Sequence, residues 1–316
     1  MGYMDVQTIV GIVFTVVEAL AVIAGFTFFI LLLRKAPRGY HDPIHRWVDI
    51  TKVALGLWLL PELLSVIINI VSLSHYYFEY FSPLYKFIIY TTSIVSWILA
   101  VSQALTFLSL FYLARAFAVL RTDEASKRYR IGKMVSLAAV VLISLLSFTA
   151  MCLWLSINRG SSWALTSDEY ERMTLRSLVA QIFDLVCACI HLACAIGAVT
   201  YVALVRKKAL KGRLHKAANL ALAITIVWLI RAVWMLFAQI SSRYGYYYYT
   251  YDTYTWFNIP SLILGILGTL AVFIMLYLLA TKDEYGLKTR GNLVKQTAVD
   301  DEEALGGRIT TANRGF

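Results

Sequence analysis

Four ionisable side chains lie inside long apolar segments of the chain, where a charge is costly and is a candidate for function. They are Glu18, Glu62, Asp184 and Arg231. Glu18 and Glu62 each lie near the middle of an apolar segment, and two neighbouring carboxylates there would share one proton or bind a cation. Pro61 leaves a backbone carbonyl without its usual donor, which suits the same kind of site. The alternative is two protonated acids, each bonded to a neighbouring helix.

Asp184 and Arg231 form the second candidate pair. At a helical rise of about 1.5 Å per residue, they lie about 12 and 15 Å from the same surface. An unpaired buried charge costs several kcal/mol, so we hypothesise an ion pair between them. The alternative is that each side chain faces a wet cavity separately.

A polar stripe continues from Asp184 along one helical face. Its members are Gln181, Asp184, Cys187, His191 and Cys194. Cys187 and His191 are possible ligands of a soft metal. However, one helix rarely supplies a complete ligand set, and no second Cys/His cluster occurs in the sequence. We therefore expect no metal site and no cofactor, and interpret the stripe as the inward face of a helix bundle.

Aromatic side chains crowd one connection in the C-terminal half of the chain. The candidate ligand-binding residues in it are Tyr246, Tyr247, Tyr248, Tyr249, Tyr251 and Trp256. Tyrosine combines a flat face for stacking with a hydroxyl, which suits sugars, peptides or cationic ligands. The pattern favours a rim for a small extracellular ligand. An interfacial aromatic belt is the alternative, but a belt normally appears on both sides of the membrane.

The elements that carry these residues are seven apolar segments, each long enough for a helix that crosses a membrane. They are residues 6–33, 47–74, 87–114, 134–157, 177–205, 217–240 and 259–281. Of the 316 residues, 59% are hydrophobic and only 15% are charged. That composition is too apolar for a soluble domain of this size. We predict an all-α polytopic membrane protein, a seven-transmembrane-helix bundle followed by a flexible cytosolic tail, residues 282–316.

The formal net charge of +10 is unevenly distributed along the chain. Lys and Arg gather in the connections 34–46, 115–133 and 206–216 and in the tail. By the positive-inside rule these parts face the cytosol, so that the N-terminus lies outside and the C-terminus inside. The charge is then an orientation signal. The expected partners are the lipid bilayer and a cytosolic signalling protein at the basic inner loops, and no nucleic acid.

The layout is similar to that of known seven-helix proteins. The topology resembles that of G-protein-coupled receptors, but the inner end of span three reads Leu113-Ala114-Arg115 instead of Asp/Glu-Arg-Tyr. The last span also has no lysine for a retinal Schiff base. The tight basic loops, the mid-span Arg231 and the short acidic tail resemble uncharacterised seven-helix integral membrane proteins of filamentous fungi. This resemblance implies a membrane location and no catalytic residue.

No combination of acid, base and nucleophile is visible, so we do not expect an enzyme. The sequence favours a receptor-like protein of the plasma membrane, with a ligand at the tyrosine-rich outer face and signalling through the inner loops. The alternative function is a small-solute or proton/cation-linked transporter that uses the intramembrane carboxylates. Seven spans without a visible repeat count against the commonest transporter designs.

Overall fold

The structure is a computed structural model that describes residues 6–36, 45–74, 83–122, 127–159, 167–208, 213–244 and 259–282. The described chain is helical and contains no strand. The helices are α1 Val6–Lys35, α2 Arg46–Ser74, α3 Pro83–Thr122, α4 Lys127–Arg159, α5 Ser167–Lys208, α6 Arg213–Tyr244 and α7 Gly268–Thr281. A π-helical segment, Ser261–Leu267, runs directly into α7.

Seven helices are long and apolar enough to cross a membrane, the seventh being the π-helical segment together with α7. The first six predicted spans each lie within one helix, and the seventh, 259–281, takes in the π-helical segment and α7. The main difference is at the helix ends. Helix α3 continues to Thr122 and α5 already begins at Ser167, outside the predicted spans 87–114 and 177–205. Hydropathy marks where a segment becomes polar, whereas a helix continues into charged residues because its backbone bonds are internal. The all-helical, seven-span prediction is confirmed.

Consecutive helices pack side by side, and α7 closes the bundle against α1, α2 and α6. Helix α3 is central, because it contacts α2, α4, α5 and α6. We call the end of the bundle at which α1, α3, α5 and the π-helical segment begin the first end, and the opposite end the second end.

Buried hydroxyl groups connect α2 and α3. Ser102 donates to the carbonyl of Ala54 at 2.8 Å, and Ser109 donates to the carbonyl of Trp47 at 3.1 Å. The hydroxyls of Thr51 and Ser109 are 2.5 Å apart. Small hydroxylated residues let transmembrane helices approach closely and bond across the interface. Ser102 and Ser109 therefore help to hold α2 and α3 together.

The outward surface of the bundle is apolar. Large aliphatic side chains such as Leu20, Ile23, Ile131 and Met134 are more than half exposed. In water such a surface would aggregate, whereas in a bilayer the lipid tails cover it. The exposed apolar surface therefore agrees with a multi-pass membrane protein.

The π-helical segment widens the helix at the point where it meets α6. Pro260 precedes it, and the N–H of Gly268 donates to the carbonyl of Ile263, five residues back. The carbonyl of Gly265 accepts hydrogen bonds from the hydroxyl of Thr269 and from Arg231 of α6. Short π-helical segments in α-helices are frequent at functional sites, which directs attention to Arg231.

Candidate functional site

A cavity of about 540 Å³ lies among α3, α4, α5 and α6. It extends along α3 from Ile89 to Gln103, so that it occupies the half of the bundle nearer the first end. Three tryptophans line it, Trp97 of α3, Trp154 of α4 and Trp228 of α6. Volumes of this order, with apolar walls and few polar groups, are typical of sites for small molecules.

Helix α5 supplies the polar wall of this cavity. Asp184, Cys187 and His191 all line it, as their helical spacing predicts. Asp184 accepts a hydrogen bond from the indole N–H of Trp154 at 3.4 Å. His191 lies with Nδ1 2.9 Å from the carbonyl of Cys187, which can only accept, so Nδ1 carries the proton. The Nε2 atom of His191 is buried and has no hydrogen-bond partner among the described residues.

Arg231 of α6 forms the deep wall of the cavity and is only 4% exposed. Its Nε donates to the carbonyl of Gly265 at 3.4 Å. Its guanidinium lies over the ring of Trp228, 4.7 Å from the centroid, in a cation–π contact. These two contacts hold a buried positive charge in a fixed position beside the cavity.

Glu18 of α1 and Glu62 of α2 lie close enough to interact electrostatically, and neither of them lines the cavity. Both are buried, at 4% and 7% exposure. Their charges repel each other, and the charge of Arg231 attracts Glu62. Glu18 accepts a hydrogen bond from the amide of Asn69 at 2.8 Å, whereas its second oxygen, Oε1, has no partner among the described residues. Arg231 thus lines the cavity and also interacts with one of the two buried carboxyl groups, Glu62.

The structure brings some of the predicted residues together and keeps others apart. Glu18 and Glu62 are neighbours, as the sequence predicts, and whether they share a proton or bind a cation stays a prediction. Asp184 and Arg231 line the same cavity, where Asp184 bonds to Trp154 and Arg231 to Gly265. Their direct pairing stays a hypothesis. Across the described part of the chain, no group of three or more His, Cys, Asp or Glu side chains is arranged to hold a metal ion.

The predicted aromatic rim lies outside the described residues. It comprises Tyr246, Tyr247, Tyr248, Tyr249, Tyr251 and Trp256. The helical elements on either side of it are described: α6 ends at Tyr244 and the π-helical segment begins at Ser261. Both of these ends belong to the first end of the bundle, towards which the cavity also lies.

Sequence reasoning missed several parts of the site. Trp97, Trp154, Trp228 and Gly265 were not predicted to take part, although Trp228 lies one turn before Arg231. Cation–π partners at a spacing of three residues on a helix are a signal that could have identified Trp228. Trp97 and Trp154 come from two other helices, and no local pattern marks them.

The fold and the site together define a multi-pass helical membrane protein with an internal polar and aromatic cavity. Compared with known proteins, the chain matches no family model, no curated protein and no solved structure. A function must therefore be argued from the site itself.

Proposed function

We propose that this protein is a seven-helix receptor of the plasma membrane, with its N-terminus outside and its C-terminus in the cytosol. A small ligand binds in the cavity among α3, α4, α5 and α6, and the basic inner loops contact a cytosolic signalling partner. The observation that carries the proposal is the cavity of about 540 Å³ in the half of the bundle nearer the first end. The positive-inside rule makes this end the outer one. It is also the end at which α6 finishes and the π-helical segment starts, the two elements that flank the tyrosine-rich connection in the sequence.

The packing of the half of the bundle nearer the second end favours a receptor over a transporter. Near the second end the interior is filled by large buried side chains, among them Trp47, Leu113, Phe117 and Leu276. A transporter needs a path that opens to both sides in turn, whereas a receptor needs only one accessible site. A cavity nearer the first end, closed off by close packing nearer the second end, is the arrangement that a receptor needs.

A bulky substitution inside the cavity tests this proposal. Ala188 lines the cavity, and the next residue, Cys189, is exposed on the outside of α5. We expect Ala188→Trp to abolish the thermal stabilisation that compounds from a small-molecule screen give the purified protein in lipid nanodiscs. Cys189→Trp is the matched control and is expected to retain it. If both variants keep the full stabilisation, the compounds bind elsewhere and the cavity is not the ligand site.

The buried carboxyl pair favours a second candidate function, a proton- or cation-linked transporter. Glu18 and Glu62 are close together, and only one cationic side chain, Arg231, attracts Glu62 in the described structure. Two neighbouring carboxyl groups can share one proton, which suits a proton-linked mechanism. In reconstituted liposomes, Glu62→Gln should abolish any proton-coupled solute flux while the protein remains folded. Flux that persists in this variant, measured with a pH-sensitive dye, would remove Glu62 from such a mechanism.

A further inference from the structure

Arg231 has more hydrogen-bonding capacity than the described structure uses. A guanidinium carries five N–H donors. Among the described residues, the structure gives it one hydrogen bond, from Nε to the carbonyl of Gly265, together with the stacking contact on Trp228. Nη1 and Nη2 therefore have no hydrogen-bond partner in the described part of the chain. A buried cation on a cavity wall with donors to spare is a binding position for an anion.

The guanidinium is also held in place before any ligand arrives. The Gly265 carbonyl fixes one edge of the group, and the indole of Trp228 covers one face at 4.7 Å. An anchor that is already oriented loses less entropy when a ligand binds. The low exposure of Arg231 strengthens its charge–charge interactions, because little water competes for the site.

The other charged wall residue lies away from Arg231 along the cavity. His191 is the cavity-lining residue of α5 that lies farthest from the first end, and Arg231 lies at the corresponding end of the lining on α6. Asp184 is seven residues from His191, which is about 10 Å along a helix. The cavity therefore has a positive deep end at Arg231 and an acidic group nearer the first end, beside Trp154.

We infer that Arg231 is the anchor for the carboxylate of a small organic acid whose aromatic or aliphatic body fills the cavity. This inference rests on the proposed function, because it names the ligand class of the same cavity. Trp97, Trp154 and Met151 supply flat and apolar walls for such a body. His191 Nε2 accepts a hydrogen bond from a hydroxyl or N–H group beside the carboxylate, which would satisfy its buried lone pair.

Charged thiol-reactive reagents test the sign of the electrostatic potential in the cavity. This test does not require the natural ligand to be known. Ala232 lines the cavity next to Arg231, so a cysteine at this position reports the potential there. The variant Ala232→Cys is made in a background in which the four native cysteines are replaced by alanine. It is treated in nanodiscs with methanethiosulfonates that carry either a sulfonate or a trimethylammonium group. The reference is the reaction of each reagent with a small neutral thiol free in solution, which gives the intrinsic ratio of the two rates.

Relative to the reference, we expect the sulfonate reagent to modify Ala232→Cys at least about tenfold faster than the cationic one. Adding Arg231→Gln should remove this preference, and adding Arg231→Lys, which keeps the charge, should preserve most of it. If Arg231→Gln does not fold, the rates of the two reagents with Ala232→Cys alone still decide whether the cavity favours an anion or a cation. Equal rates with the two reagents, or a faster reaction with the cationic one, would overturn the inference that the ligand is an anion. The cavity would then remain a candidate ligand site of another class. Reaction with neither reagent would exclude access to the cavity and with it the proposed function.

Discussion

Replacement of Glu62 by glutamine is expected to tighten about tenfold the binding of 3-phenylpropionate, a test compound of the class that we infer for the cavity, an aromatic carboxylate. Glu62 attracts Arg231 and is not among the residues that line the cavity, so it competes with a bound carboxylate for the same positive charge. Unit charges about 8 Å apart interact by about 2 kcal/mol at an effective dielectric constant of about 20. If Glu62→Gln removes about 1.4 kcal/mol of this competing attraction, the dissociation constant of the ligand falls about tenfold. Isothermal titration calorimetry in lipid nanodiscs measures the change.

Two controls separate this electrostatic effect from a general change in the protein. Glu18→Gln removes a charge that repels Glu62 and does not attract Arg231 directly, so the affinity should change less than about threefold. The neutral amide, 3-phenylpropionamide, should bind the wild type and Glu62→Gln equally. Weaker binding of the acid to Glu62→Gln would mean that Glu62 positions Arg231 for the ligand and does not compete with it.

The seven spans could be predicted because membrane insertion depends on local composition. About 20 consecutive apolar residues identify a span whatever the rest of the chain does. The closeness of Glu18 and Glu62 could also be predicted, because both lie near the middle of helices that follow each other in the chain. Depth along the helix and adjacency in sequence were sufficient for that pair.

The cavity could not be predicted, because its walls come from four helices whose rotation about their axes is set by packing. Asp184 and Arg231 illustrate this limit. Depth along the helices led to the hypothesis of an ion pair, but depth does not show that Asp184 bonds to Trp154 or that Arg231 bonds to the carbonyl of Gly265. The π-helical segment that presents this carbonyl has no marker in the sequence other than Pro260 and a glycine that resembles an ordinary packing residue.

Close packing of α1 on α2 is what holds Glu18 beside Glu62, and it depends on Gly25. Gly25 lies two helical turns after Glu18 and faces α2. A Cβ atom at this position would lie 2.7 Å from Cδ2 of Leu59 and 3.0 Å from Cζ3 of Trp58. Both neighbours are buried, and the indole of Trp58 also packs against Phe273 of α7, with ring centroids 5.8 Å apart. A side chain at position 25 therefore requires Leu59 and Trp58 to change their conformations or the two helices to separate.

We expect Gly25→Leu to destabilise the protein by about 3 kcal/mol or more, because overpacking of a close interface costs about 1–3 kcal/mol and a leucine adds several carbon atoms. The matched control is Gly197→Leu on α5, where an added Cβ meets nothing within 4 Å. This control should be as stable as the wild type or slightly more so, since leucine favours a helix over glycine by about 0.8 kcal/mol. Unfolding of the two variants in SDS titrations compares them directly. Equal stability would show that α1 and α2 do not pack at the separation described, and the contact between Glu18 and Glu62 would then have no structural basis.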